Sequence, residues 1–113
     1  MKTKLYIDDI RNPDPHDNFI VVRSYDDAIH WMRTNGCPDY ISFDHDLGLP
    51  TRKGDQVIEK SGHEVAKWMV EQDLNAKSKF IPEHFQFTVH SANTVGADNI
   101  VGLLSSYMRR REE

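Results

Sequence analysis

The sequence contains only one cysteine, Cys37, among its 113 residues. A lone cysteine forms no disulfide within the chain, which excludes the disulfide-rich secreted folds. No stretch approaches the roughly 20 apolar residues that a membrane-spanning helix needs, and no apolar signal-like segment follows Met1. From these absences we expect a cytoplasmic protein that does not associate with membranes.

Basic residues are also in deficit, because 14 Lys and Arg face 18 Asp and Glu and the net charge is −4. This balance argues against a protein that coats nucleic acid along its length. The basic run Arg109–Arg111 is predicted to be a solvated helix end. A chain of 113 residues with 38% hydrophobic residues suits one core, so we expect a single domain over residues 1–113.

Apolar periodicity predicts four strands and three helices. Short runs of branched and aromatic residues mark the strands, and apolar side chains at helical spacing mark the helices. Ser24 with Asp27, and Ser61 with Glu64, have the spacing of capping boxes that open helices. The predicted strands are 4–7, 19–22, 40–43 and 85–89, and the predicted helices begin after Ser24, Ser61 and Asn93.

Two prolines, Pro13 and Pro15, predict an irregular loop instead of a helix between the first two strands. Because this connection is short, the placement and direction of the second strand stay open. Elsewhere the strands alternate with helices, which indicates an α/β fold with a mostly parallel sheet. In such sheets ligands bind beyond the carboxyl ends of the strands.

Three of the predicted strands end in polar residues that would meet at this carboxyl edge of the sheet. The first strand is followed by Asp8 and Asp9, the third by residues 44–46, and the fourth by residues 90–93. Carboxylates so close together repel one another, and a bound hard cation is the simplest remedy. Carboxylate oxygens suit Mg²⁺ or Mn²⁺, which commonly bind phosphate oxygens as well. The predicted metal ligands are Asp8, Asp9, Asp44 and Asp46.

Four segments, LYIDDIRNP, ISFDHDLG, SGHEVAKWM and HSANTVGADNI, resemble the cyclic-phosphate processing receiver domain family, in matching order and across nearly the whole chain. The resemblance implies a receiver-like (flavodoxin-like) three-layer fold in reduced form, with a four-stranded sheet and about three helices. It also implies a Mg²⁺ pocket formed by the acidic pair and Asp44, with Ser91 beside the phosphoryl group. The family is proposed to act on nucleic-acid ends that carry a 2′,3′-cyclic phosphate. The expected ligand is therefore an RNA end or a nucleotide, and RNA-repair proteins are possible partners.

These residues suggest a metal-assisted phosphoesterase in which two histidines exchange protons with water and the leaving ribose oxygen. Hydrogen-bond donors and a helix amino terminus would hold the phosphate, and the stretch 48–62 would form a mobile lid. The predicted catalytic residues are His90, His45, Asp44 and Ser91. The predicted substrate-binding residues are Arg11, Asn93, Ser91 and Gly96.

Two other functions stay open at this point. One is a signalling receiver that is phosphorylated at Asp44, although no fifth strand with the usual receiver lysine is predicted. The other is a non-catalytic protein that binds a nucleotide or an end phosphate. Single residues have alternatives too: Asn93 is a favoured helix N-cap, and His45 at a strand end can turn away to solvent.

Overall fold

The computed structural model describes residues 3–46 and 61–112, which form an α/β receiver-like fold with a four-stranded parallel sheet and three helices. The elements in chain order are β1 (Lys4–Ile7), a 3-10 turn (Pro15–Asp17), β2 (Ile20–Val22), α1 (Tyr25–Asn35), β3 (Tyr40–Phe43), α2 (Gly62–Asn75), β4 (Gln86–Val89) and α3 (Thr94–Arg111). In the part of the chain that is described, no helix is long and apolar enough to cross a membrane.

The strand order is β2-β1-β3-β4, and every neighbouring pair is parallel. This resolves the placement of the second strand: Leu5 of β1 is paired with Ile20, and β2 is an outer strand. The other outer strand is β4, as its alternating pattern indicated. Between β1 and β2 the chain makes a 3-10 turn that starts at Pro15, which agrees with the predicted loop.

One face of the sheet is buried under the helices. Helix α1 contacts α2, and α2 contacts α3, so the described helices form one layer on that face. The fold is reduced on the other face, where none of the described helices packs, because the β1–β2 connection is a loop. The core residues that share the covered face are Leu5, Ile7, Ile41 and Phe43 from the strands and Ile29, Met32, Val65, Met69, Ile100 and Leu104 from the helices.

The two predicted capping boxes have different outcomes. At α1 the Ser24 hydroxyl accepts the Asp27 amide at 3.0 Å, which confirms the cap. At α2 the prediction is wrong, because Ser61 occupies the N-cap position without a side-chain cap bond. The amide of Gly62, the first residue of α2, donates to the carbonyl of His45 at 2.8 Å. The start of α2 is therefore fixed to the end of β3.

Asp73, near the end of α2, is a fully buried carboxylate that the sequence analysis did not single out. Its Oδ1 accepts the amides of Phe80 at 2.9 Å and Ile81 at 2.8 Å. Its Oδ2 accepts the Tyr107 hydroxyl and, at 3.0 Å, the Arg111 guanidinium. These bonds join α2, the loop after it and the last turns of α3 around one charge.

The basic run at the end of α3 is therefore only partly solvated. Arg109 and Arg110 are exposed, as predicted. The prediction is wrong for Arg111, whose side chain is only 10% exposed and forms an ion pair with Asp73. The spacing of the run could not show this, because the partner lies 38 residues earlier in the chain.

We expect Asp73→Asn to lower the free energy of unfolding by about 3–5 kcal/mol, because it leaves Arg111 buried without its counter-charge. The measurement is urea-induced unfolding at neutral pH. Glu71→Gln is the matched control, since Glu71 is an exposed acid on the same helix, and it should change stability by less than about 0.5 kcal/mol. Equal effects of the two changes would contradict the assigned role.

The unaltered protein and D73N also provide a test of the pH dependence of stability. Burial raises the pKa of Asp73, but the Tyr107 hydroxyl, the two loop amides and Arg111 outweigh it, so the pKa lies below its ordinary value. A lowered folded-state pKa means that the stabilisation is complete above the unfolded pKa of about 3.9 and is lost as the pH falls through the folded value. The difference in stability between the protein and D73N should therefore shrink below about pH 4.

Candidate functional site

Three carboxylates meet at the carboxyl edge of the sheet, where β1 and β3 end side by side. One oxygen each from Asp8, Asp9 and Asp44 lies within 4.8 Å of the others. Asp8 and Asp44 are buried, and Asp9 is partly exposed. We call these three residues the acidic pocket. Parallel pairing of neighbouring strands brings them together, as the sequence analysis expected.

Asp8 is fully buried and has hydrogen bonds at both oxygens. Its Oδ1 accepts the amides of Ile10 at 3.0 Å and Arg11 at 2.8 Å. Its Oδ2 lies 2.9 Å from Nε2 of His90. Burial raises the pKa of Asp8, but the amides of Arg11 and Ile10 and the His90 ring outweigh it, so the pKa is lower than usual. Asp8 is therefore a stable anion inside the protein.

Asp44 lies in the opposite situation. It is 4% exposed, and its pKa is raised by burial and by the nearby charge of Asp8. A hydrogen bond with Ser91 opposes these effects but does not cancel them. The anionic form of Asp44 is thus less favourable than that of an ordinary aspartate, and a positive charge in the pocket would oppose this effect.

The acidic pocket fits a divalent cation. Carboxylate oxygens are ligands that Mg²⁺ and Mn²⁺ prefer, and a cation would oppose the burial and the charge of Asp8 that raise the pKa of Asp44. Asp46, which was also predicted as a ligand, is not part of the cluster. Its Oδ1 lies 2.9 Å from Nδ1 of His45 and accepts a hydrogen bond from the side-chain amide of Asn93 at 3.3 Å.

His90 is held at both ring nitrogens. Nδ1 lies 2.7 Å from the hydroxyl of Ser42, and Nε2 contacts Asp8. The ring also stacks on Tyr6, with centroids 4.5 Å apart and planes 8° apart. His90 therefore orients Asp8, while both nitrogens that would exchange a proton already have partners.

Ser42 and Arg23 contribute to the site without having been predicted. Ser42 is a buried polar residue within an apolar strand. A serine among apolar strand residues was the feature of the sequence that could have pointed to it. Arg23 donates to the carbonyls of Arg11 at 2.7 Å and Asp8 at 3.3 Å. It follows β2, so its role became visible only once β2 was placed beside β1.

His45 faces the start of α3 instead of turning away to solvent. Its ring is 20% exposed, and Nδ1 is bonded to the carboxylate of Asp46. A Cβ atom added at Gly96 would lie only 2.3 Å from Cγ of His45. The absence of a side chain at position 96 thus leaves the space in which the imidazole ring sits.

The remaining predicted residues lie around the acidic pocket in different roles. Asn93 is the N-cap of α3, and its Oδ1 accepts the amide of Gly96 at 2.9 Å. Ser91 accepts the Asn93 amide at 3.0 Å and is hydrogen-bonded to Asp44. Arg11 donates to the carbonyl of His90 at 3.0 Å, and its side chain is 47% exposed. Of the predicted lid, residues 48–60 lie outside the described part of the chain.

The parallel sheet carries an acid pair after β1, Asp44 directly after β3 and Ser91 after β4. This arrangement defines a receiver-like domain with an acidic pocket that suits a metal ion. A family model described as cyclic-phosphate processing receiver domain matches residues 3–106, and the chain belongs to that family. No curated protein and no solved structure matches the chain.

We expect Mg²⁺ or Mn²⁺ to raise the melting temperature, by the equivalent of about 2.7 kcal/mol when the ion is at 100 times its Kd. Asp44→Asn should abolish this shift. It should also stabilise the ion-free protein, because burial and the charge of Asp8 no longer act on an anion. Asp46→Asn is the control and should keep the shift. Loss of the shift in D46N would return Asp46 to the set of ligands.

Two glycines of α3 give a second prediction. Gly96→Ala should lower the free energy of unfolding by about 1–3 kcal/mol, because the added methyl group overlaps the ring of His45. Gly102→Ala in the same helix meets nothing within 4 Å and should raise stability by about 0.5–1 kcal/mol. Urea unfolding of both variants checks the opposite signs. A stabilising Gly96→Ala would contradict the described packing of His45.

Proposed function

We propose that this domain is a metal-assisted phosphoesterase that hydrolyses a 2′,3′-cyclic phosphate on an RNA end or a nucleotide. The observation that carries the proposal is the acidic pocket with His45 held by Asp46 at the same edge of the sheet. The name of the family supports a cyclic phosphate as the ligand. RNA-repair proteins are the partners that such an activity would serve.

Asp8, Asp9 and Asp44 are the residues that would hold the divalent ion. When bound, such an ion supplies positive charge to a phosphate and to the charge that develops on it during ester cleavage. Arg11 would add a second cation, since its half-exposed side chain lies at the end of β4 beside the pocket. Ser91, whose oxygen is near Asp44, would hold a phosphate oxygen.

We assign the proton transfer to His45. Its Nδ1 is hydrogen-bonded to Asp46, so Nε2 is the ring nitrogen that exchanges a proton with the attacking water. The oxygen of water forms a bond to phosphorus, its proton passes to Nε2, and the bond from phosphorus to one ribose oxygen breaks. That ribose oxygen takes up a proton from solvent, and His45 later releases its own. The net change is the addition of one water.

His90 is assigned a positioning role instead of the proton transfer that was expected of it. Its bonds to Ser42 and Asp8 and its stacking on Tyr6 fix the orientation of a metal ligand. Loss of His90 should therefore weaken metal binding first. Loss of His45 should slow turnover even when the metal is saturating.

The direct test uses a short RNA that ends in a 2′,3′-cyclic phosphate, with Mg²⁺, with Mn²⁺ and with chelator, followed by mass spectrometry. We expect a metal-dependent mass gain of one water on the RNA. A phosphoryl group gained by the protein after treatment with a small phosphodonor, with no change in the RNA, would instead indicate a signalling receiver. Binding that raises the melting temperature without any product would indicate a non-catalytic binder.

We expect His45→Gln to lower kcat by roughly 10²- to 10⁴-fold, the usual contribution of a general base. The measurement is initial rates of ring opening at saturating metal. His30→Gln is the matched control, because His30 is an exposed histidine on α1, and its rate should be unchanged. A normal kcat in H45Q, with the fold intact by circular dichroism, would remove His45 from the mechanism.

A further inference from the structure

The face of the sheet that faces away from the helices carries a distinct set of side chains. Parallel pairing places Lys4, Tyr40 and Gln86 in one row across the sheet. The next row holds Tyr6, Ser42 and Thr88. We call these six residues the open face, since none of the helices in residues 3–46 and 61–112 packs on it.

Aromatic rings form a continuous series on this face. Phe19, just before β2, contacts Tyr6 edge to face with centroids 5.4 Å apart, and it lies 5.8 Å from Tyr40. All three rings are half-buried, so each keeps part of its surface accessible. Through its stacking on His90, Tyr6 joins this series to the acidic pocket.

The polar groups of the open face are atypical of a surface that is covered by a helix. Lys4 places its Nζ 4.7 Å from the centre of the Phe19 ring, and the Tyr40 hydroxyl is hydrogen-bonded to Thr88 at 2.9 Å. Gln86 and Thr88 are exposed. A surface that receives a helix is rich in aliphatic side chains, whereas flat rings beside a cation and hydrogen-bonding groups suit nucleobases and phosphates.

The positive charges also lie at positions that suit contacts with the phosphates of a nucleic-acid strand. Lys4 is at the start of β1, and Arg11 is at the opposite end of the sheet, bound to the carbonyl of His90. A strand of four residues separates these ends by roughly 10 Å. A backbone with phosphates along this line would meet a cation at each end, although the chain as a whole is acidic.

We propose that the open face, with Phe19, is a stacking surface for the terminal bases of a single-stranded RNA whose end lies in the acidic pocket. This inference rests on the proposed function for the position of the RNA end. The substrate class is then an RNA strand of several nucleotides, in preference to a free nucleoside cyclic phosphate.

The test compares the binding of a fluorescent tetranucleotide with a 2′,3′-cyclic phosphate end, measured by anisotropy, with competition by a mononucleoside 2′,3′-cyclic phosphate. We expect the tetranucleotide to bind more tightly. Phe19→Leu and Tyr40→Leu should each weaken it by roughly 5- to 150-fold, which corresponds to the loss of one stacked base. Affinity for the mononucleotide should not change. Leucine keeps an apolar surface and removes the flat ring; at position 40 it also removes the hydroxyl that is hydrogen-bonded to Thr88.

Phe80→Leu is the matched control, because the Phe80 ring packs on Trp68 on the helical side. It should leave both affinities unchanged, and melting curves verify that each variant is folded. Equal affinity for the two ligands, or unchanged tetranucleotide binding in both F19L and Y40L, would overturn the stacking surface. Ring opening that continues in that case would leave the proposed function intact. Length-dependent binding that needs Phe19, without any ring opening, would support the stacking surface and refute the proposed activity.

Discussion

The buried charge of Asp8 is the constraint on which the rest of the site depends. A carboxylate without contact with solvent is tolerable only when its oxygens are hydrogen-bonded, and here two amides and His90 provide those bonds. The partners come from two places: the amides from the turn after β1, and His90 from the end of β4. Keeping Asp8 charged therefore requires three strands in their correct order.

Two carboxylates of the same pocket respond to their surroundings in opposite ways. The pKa of Asp8 is low because donors surround it, while that of Asp44 is high because burial and the charge of Asp8 act on it. Such a divergence between neighbouring acids is typical of functional sites. Structural ion pairs such as Asp73 with Arg111 also shift pKa values, but there every donor comes from the chain itself, and no ligand is required.

The sequence predicted the elements of the fold well, because periodicity and turn chemistry are local properties. It located the acidic pocket for the same reason: the polar residues directly follow the strands. It failed where the outcome depended on distant partners. Asp73 reaches Arg111 across 38 residues, and the Gly62 amide at the start of α2 donates to the carbonyl of His45 near the end of β3. Asp46, which was predicted as a metal ligand, instead contacts His45 and Asn93, and Asn93 lies at the distant start of α3.

The start of α2 restricts the movement of Asp44 in the acidic pocket. A Cβ atom at position 62 would lie 2.1 Å from the carbonyl oxygen of Asp44, so backbone meets backbone there with no side chain between them. Such a contact has little freedom to slide, and it holds the backbone of Asp44 in place. The backbone at Asp44 is thus ordered by the fold itself, so a ligand that bound this residue would have little backbone freedom left to remove there.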